Sequence, residues 1–248
     1  MKVDHPYTIG LFDIDHQFRL QAQSAMRFFQ EISTHHSTVA GAGPEVLFQR
    51  GVVWFLHRLE VEFYRYPLVY EKIQMTTWSR GFKRFKGFRE YLMSSDQGVI
   101  ARGTSVWIFY DVNKNRISKI PADIMAGYGI DAQRGLDTEI DDWKPCGKIS
   151  PDAQVEITLR HSDFDINGHV NNTVYFGFLE TLYYQTLTTA AAPIKNIKIR
   201  YHQEIDKGIN AVYAGWKQQE DFYQFNIFDS TSLYADGEIT PMIAADRC

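Results

Sequence analysis

Cysteine is scarce in this chain: Cys146 and Cys248 are the two present among 248 residues. One sits in a connector between Pro145 and Gly147 and the other at the terminus. Neither a disulfide framework nor a cysteine-built zinc cage is therefore expected, and no metal site is assigned. Long apolar runs are missing too. The opening MKVDHPYTIGLFDID has no unbroken hydrophobic stretch of the kind a secretion signal needs, and no later run approaches membrane-spanning length. A cytoplasmic protein without stable membrane association is expected. Nor is there a surplus of either charge: 26 Lys and Arg against 30 Asp and Glu leave a formal net charge of -4. That argues against nucleic acid as a partner of the whole molecule while leaving room for a local basic patch. Apolar residues are plentiful, at 44%, enough for one large domain or two small ones.

The pattern along the chain predicts a strand over 6–12, then FDIDHQ, then a helix over 22–39 in which Met26, Phe29, Ile32, His36 and Val39 fall near helical spacing, with Phe28 widening the stripe. Gly41 to Pro44 should end it. Runs rich in Val, Ile, Phe, Tyr, Trp and Thr predict strands over 52–66, 72–80, 85–95 and 99–111. Residues after Pro121 carry Gly127, Gly129, Gly135, the acidic pair Asp141 and Asp142, Pro145 and Gly147, and read as a linker to about Pro151. The order then restarts, with a strand over 155–161, FDIN echoing FDID, a helix over 172–188, and strands over 194–203, 209–217, 222–228 and 232–239. QEI at 30–32 corresponds to LET at 179–181, and Val61 and Trp78 map onto Ile199 and Trp216 at one shift of 138 residues. The class is α+β, built by duplication.

The stretch most suited to chemistry is FDINGHVNNTVYFGFLE, residues 164–180. Alternation in an extended segment puts Asp165, Asn167 and His169 on one side. Asn171, Asn172 and Thr173 follow as residues that satisfy free amides at a helix start. An acid, an amide, a base and a helix N-terminus in so short a segment suit work on a carbonyl.

DINGHVNNTVYFGFLE together with IKIRYHQEIDKG at 197–208 resembles the acyl-ACP thioesterases of plant plastids and their bacterial relatives, and FFQEISTHHSTVAGAG, WFLHRLEVEFYRYPLVYEKIQMTTW and GTSVWIFYDVNKNRISKIPADI extend the resemblance over nearly the whole chain. The resemblance implies two tandem hot-dog repeats, each a long central helix wrapped by an antiparallel sheet: residues 1–125 binding the acyl chain, a linker over 126–151, and a catalytic repeat over 152–248. It implies hydrolysis of acyl-ACP to a free fatty acid and the carrier, without a cofactor, the partner being acyl carrier protein bearing a fatty acyl-phosphopantetheine. It points to Asp165, Asn167, His169 and Glu204 as the catalytic set. Many plant members carry a cysteine after that glutamate; here the residue is Ile205, which cannot attack a thioester. Glu204, with His169, is then expected to orient and deprotonate a water, a role worth roughly 10²- to 10⁴-fold in rate. Asn167 would hold that water or the carbonyl, and Asp165 would orient His169 or Asn167. Amides near Gly168 and Val170 and the helix N-terminus would receive the oxyanion, one such donor contributing about 3 kcal/mol. Direct attack by Asp165 or Glu204 through an anhydride is the alternative.

Each of these residues also has a plain structural role open to it: Asp165 and Asn167 as turn formers, His169 as a satisfied imidazole. No ligand spacing connects His16, His35, His36 and His202, which read as structural. Asp13 and Asp15 lack the continuation after the motif, so the first repeat is expected to be silent. The basic run Arg80, Lys83, Arg84, Lys86, Arg89 is either a solvated hairpin or a dock for the acidic carrier, with Lys195, Lys198 and Arg200 as rivals. Met26, Phe29, Trp54 and Met75 are core, or the lining of an acyl tunnel. Gly177, which weakens its helix by roughly 1 kcal/mol relative to Ala, suggests a close approach by a curved sheet or an acyl chain. Competing functions are an acyl-CoA thioesterase, a hydratase and a non-catalytic acyl-thioester-binding module. A homodimer through sheet edges is also compatible, although two fused repeats already pair one edge.

Overall fold

The computed structural model describes residues 1–187 and 192–242. Thr188, to which the second helix was expected to run, and Cys248 lie outside them. The first half comprises β1 (Lys2–Thr8), α1 (Ala22–Val39), α2 (Pro44–Gln49), β2 (Val52–Phe63), β3 (Lys72–Lys83), β4 (Lys86–Ser95), β5 (Gly98–Asp111), β6 (Arg116–Ile117) and α3 (Ala122–Tyr128). The second comprises β7 (Ala153–Thr158), α4 (Val174–Thr186), β8 (Ile194–Tyr201), β9 (Ala211–Gln218), β10 (Tyr223–Phe228) and β11 (Leu233–Pro241). The long helices and most strands fall where the apolar patterns put them. The opening strand lies four residues earlier than the sequence suggests, because residues 11–13 turn as a short 3-10 helix.

The eleven strands of the described residues join one antiparallel sheet ordered β1-β3-β4-β5-β2-β8-β11-β10-β9-β7, with β6 on β5. The order is the same read from either end: each half is a hot-dog repeat, and β2 pairs with β8 where they meet, Val61 opposite Ile197 and Leu59 opposite Ile199. The two helices lie together inside the curved sheet. Phe29 and Ile32 from α1, Leu179 and Leu182 from α4, and Val61, Met75, Ile199 and Phe225 from the strands form one core, each 1% exposed or less. Burial at roughly 25 cal/mol per Å² of apolar surface makes this joint core the main stabilising term of both repeats. Met26, Phe29 and Met75 belong to it, whereas Trp54 packs in a smaller cluster with Phe109, Ile124 and Tyr128.

The duplication is in register, but not at every position its letters suggest. Asp13 accepts from the Gly10 amide at 2.8 Å as Asp163 does from that of Arg160, also 2.8 Å. Asp15 accepts from the amides of Gln17 and Arg19 as Asp165 does from those of Asn167 and His169. Loop and helix therefore repeat at a shift of 150, and Asp15, not Asp13, is the counterpart of Asp165. Gln30 accordingly matches Glu180, one place beyond the QEI–LET alignment. Val61 and Ile199 do correspond, since a Cβ added at Gly103, opposite one, or at Gly237, opposite the other, would run into equivalent backbone atoms, the carbonyls of Glu60 and Lys198. The tryptophans do not. Trp78 donates to the carbonyl of Gln133 outside the sheet, and Trp216 donates to Thr186 at the end of α4. A one-residue difference in a strand turns a side chain to the other face.

Residues 130–149 cross the outer face of the sheet and explain its buried charges. Glu90, 1% exposed, accepts from the Gly135 amide and from Arg80. Arg80 also grips Glu139 at 2.7 and 2.9 Å, and Lys86 holds Asp141 at 2.6 Å. Arg58 donates to the carbonyls of Ile140, Asp141 and Trp143. Asp236, fully buried, is held by Arg200, His202 and the Gly147 amide. Among the described residues, no helix is long and apolar enough to cross a membrane.

Candidate active site

The loop before α4 is shaped by Asp165. Its carboxylate accepts from the backbone amides of Asn167 at 2.8 Å and His169 at 3.3 Å, and its own amide donates to the His169 carbonyl at 2.8 Å. The turn needs a left-handed residue at 168. Gly168 supplies it at φ 82°, and a Cβ there would also meet the Lys207 side chain at 2.9 Å. The chain then enters α4 through a turn at Asn171, whose Oδ1 accepts from the amide and hydroxyl of Thr173, both at 2.9 Å. Asp165 thus orients His169 through the main chain, and Asn167 lies beside it, Nδ2 at 3.5 Å from Oδ2.

His169 lies between two carboxylates. Its Nδ1 is 3.2 Å from Glu204 Oε2 and its Nε2 is 3.1 Å from Asp206 Oδ1. Glu204 arrives from the segment after β8, where the Ile205 carbonyl accepts from the Val170 amide and the backbones of His169 and Asp206 bridge. Ile205 is fully buried in the core, so extended backbone turns its two neighbours to the site. Burial raises the Glu204 carboxyl above the usual range; His169 pulls it back, and the negative charges of Asp206 and Asp165 push it further up. Behind it the Tyr175 phenol is raised by burial and by the Glu204 charge. A carboxyl held toward neutrality against an imidazole is equipped to accept a proton from water.

Two expectations need correction. The amides of Gly168 and Val170 do not face a substrate oxygen: Gly168 donates to the Asp165 carbonyl and Val170 to that of Ile205, each at 3.0 Å. Of the proposed carrier dock, Arg80 and Lys86 are paired with the crossing segment, and Lys198 lies within 3.9 Å of Glu60 and 3.8 Å of Glu238. Arg89 is buried against His36. Lys83 and Arg84 stay exposed at the β3–β4 turn. Asp206 escaped the sequence reading, although the Glu-Ile-Asp alternation around an apolar residue was the signal for it. Gly177 faces Gln23 of α1, whose Oε1 would lie 2.5 Å from an added Cβ, so the neighbouring helix is what approaches it.

Family models described as the acyl-ACP thioesterase N-terminal domain and C-terminal domain match residues 1–128 and 148–243. The chain belongs to the acyl-ACP thioesterase family. Among relatives of the family, the chloroplastic acyl-(acyl-carrier-protein) hydrolase FATB3 of Cuphea viscosissima is 27% identical over 185 residues, covering 70% of this chain and 45% of that protein. The chain thus spans less than half the length of that relative. An acyl-ACP thioesterase from Bacteroides thetaiotaomicron superposes with a TM-score of 0.81 at 20% identity, over 96% of this chain and 97% of the other. The 12:0-ACP thioesterase from Umbellularia californica gives 0.81 at 18% identity, over 97% and 98%. These two solved structures share the double hot-dog fold from end to end.

In the first repeat of this family member the corresponding positions hold other chemistry. Arg19 stands where His169 does and Gln17 where Asn167 does, while Tyr66 and Leu68 stand at Glu204 and Asp206. The Leu68 carbonyl accepts from the Glu71 amide at 3.1 Å just as that of Asp206 accepts from Ile209 at 3.0 Å. Arg19 lies over the Tyr184 ring, and Tyr66 donates to the Ile194 carbonyl at 2.7 Å. A phenol and a guanidinium cannot take the place of a carboxylate and an imidazole as proton acceptors at neutral pH.

Proposed function

We propose that this chain hydrolyses acyl thioesters of acyl carrier protein, releasing a free fatty acid, with the reaction in the second repeat. The observation that carries the reading is the 3.2 Å approach of Glu204 to His169 within the family's motif. Glu204 serves as the base that deprotonates an attacking water, Asn167 holds the water or the carbonyl, and Asp165 fixes the loop that presents both. The leaving thiolate departs without a strong acid. Acyl-chain binding is assigned to residues 1–125, catalysis to 152–248, and 126–151 to the connection between them. Docking of the acidic carrier is assigned to Lys83 and Arg84, two basic residues of the turn that are exposed.

The test is released thiol from a panel of acyl-ACPs of varied length, with the same acyl groups on CoA for comparison. Glu204→Ala is expected to lower kcat by roughly 10²-fold or more, and Asn167→Ala to lower it as well. Near-wild-type turnover in both variants overturns the assignment. Faster turnover of the CoA esters overturns the choice of carrier alone.

A further inference from the structure

Asp206 has no part in the mechanism above, yet it is built against the site. Its backbone bridges that of His169, and its carboxylate lies 3.1 Å from Nε2. The imidazole therefore faces an acceptor on each ring nitrogen, and an imidazole with one N–H can satisfy only one of them. The two carboxylates differ. Asp206 is 74% exposed while Glu204 is 43% exposed, so water supports a charge on Asp206 at little cost while burial disfavours one on Glu204, which leaves Asp206 the better charged acceptor for the ring N–H.

We infer that Asp206 is a positioning residue: it holds the Nε2–H of His169 and so turns the unprotonated Nδ1 toward Glu204, where the proton removed from water is shared. This rests on the thioester-hydrolase reading. Glu204 takes one proton from water as the water oxygen bonds to the carbonyl carbon. The tetrahedral adduct collapses with cleavage of the carbon–sulfur bond. The proton, shared meanwhile between Glu204 and Nδ1, passes to the leaving sulfur, so that one thioester and one water give one carboxylic acid and one thiol. Asp206 gains and loses nothing; it stabilises the charge on the ring while the ring holds the proton. The other charged or titratable groups that face this pair are Asp165 on the same loop, Lys207 over Gly168, Tyr175 of α4 and Tyr234 of β11.

The experiment uses the full chain and its Asp206→Ala and Asp206→Glu variants, with Glu204→Ala to test the underlying reading. The nitrogen-15 spectrum of the His169 ring should show Nε2 protonated in the parent and a mixture of tautomers in Asp206→Ala. In the same variant kcat should fall by about tenfold with KM within about twofold, an exposed pair being worth less than a buried one, and Asp206→Glu should recover most of it. The acid limb of kcat/KM should move to lower pH by roughly half a unit, because Glu204 loses a neighbouring negative charge. An unchanged ring spectrum, or a kcat within about twofold of the parent in Asp206→Ala, overturns the inference. Full turnover in Glu204→Ala overturns the assignment of Glu204 as the base instead, and a parent that releases no thiol overturns the hydrolase reading; in either case the ring spectrum still decides whether Asp206 sets the tautomer.

Discussion

Glu180 offers a test of how the two repeats are held together. It belongs to α4 of the second repeat, yet its carboxylate receives the first amides of α1 in the other, Ala22 N at 2.6 Å and Gln23 N at 3.3 Å. Burial nevertheless dominates over these two donors and raises the carboxyl from 4.5 to about 7. The folded chain therefore retains a proton between pH 4.5 and 7 that the unfolded chain has lost, so this group makes stability fall as pH rises through that window and adds no further change above it. At 1.36 kcal/mol per unit the full effect is about 3 kcal/mol, and the dipole of α1, which favours the ionised form, reduces it to about 2 kcal/mol. Glu180→Gln is close in shape, keeps an oxygen for Ala22, and does not titrate. Urea unfolding of both proteins from pH 4.5 to 8 is expected to find them equal at the acid end and the variant more stable by about 2 kcal/mol at pH 8, or roughly 4–8 °C in Tm for a chain of this size. Parallel stability profiles, or a parent that gains on the variant as pH rises, would refute the reasoning: the helix terminus would then outweigh burial.

Reversing charge with Lys83→Glu and Arg84→Glu together should raise KM for acyl-ACP by about tenfold and leave that for a small acyl thioester within about twofold; equal changes on both substrates would remove the dock from this turn. Asp236→Ala strips the partner from Arg200 and His202 and an acceptor from the Gly147 amide, and should cost about 3–5 kcal/mol by chemical denaturation; a loss under about 1 kcal/mol would mean that the crossing segment is held elsewhere. Burial pushes the Glu71 carboxyl up, but the bonds from Arg65, Ser95 and the Leu68 amide together outweigh it and lower the group from 4.5 to about 2. Its contribution should be full above pH 4.5 and disappear as pH falls toward 2, so the difference in stability between parent and Glu71→Gln should shrink over that interval, as followed by thermal melts.

Patterns that act along the chain were readable before the structure was. The apolar spacing of Met26, Phe29 and Ile32 marks α1 because one face of it meets the core, and β-branched and aromatic runs mark the strands for the same reason. The short helices α2 and α3 were missed: at six and seven residues they carry too few turns for a periodic stripe. FDID and FDIN look alike, yet what repeats is the Asx turn made by Asp15 and Asp165, a matter of which amides a carboxylate reaches and not of matching letters. The same limit explains Arg80 and Lys86. Nothing local in their strands announces that a segment over fifty residues later crosses to pair with them. The pairing of Glu204 with His169 was anticipated because both lie in family strings, while Asp206, two residues further, became visible only when the chain folded it against the ring.

The pairing of β2 with β8 joins the halves within one polypeptide. Two separate hot-dog subunits would have to find each other by diffusion, and dilution would part them; here the contact is first order, and its occupancy does not depend on how much protein is present. Fusion also removes the constraint that both halves be identical. Arg19 and Tyr66 in one half therefore coexist with His169 and Glu204 in the other, so that a nearly symmetric body carries different chemistry at its two ends.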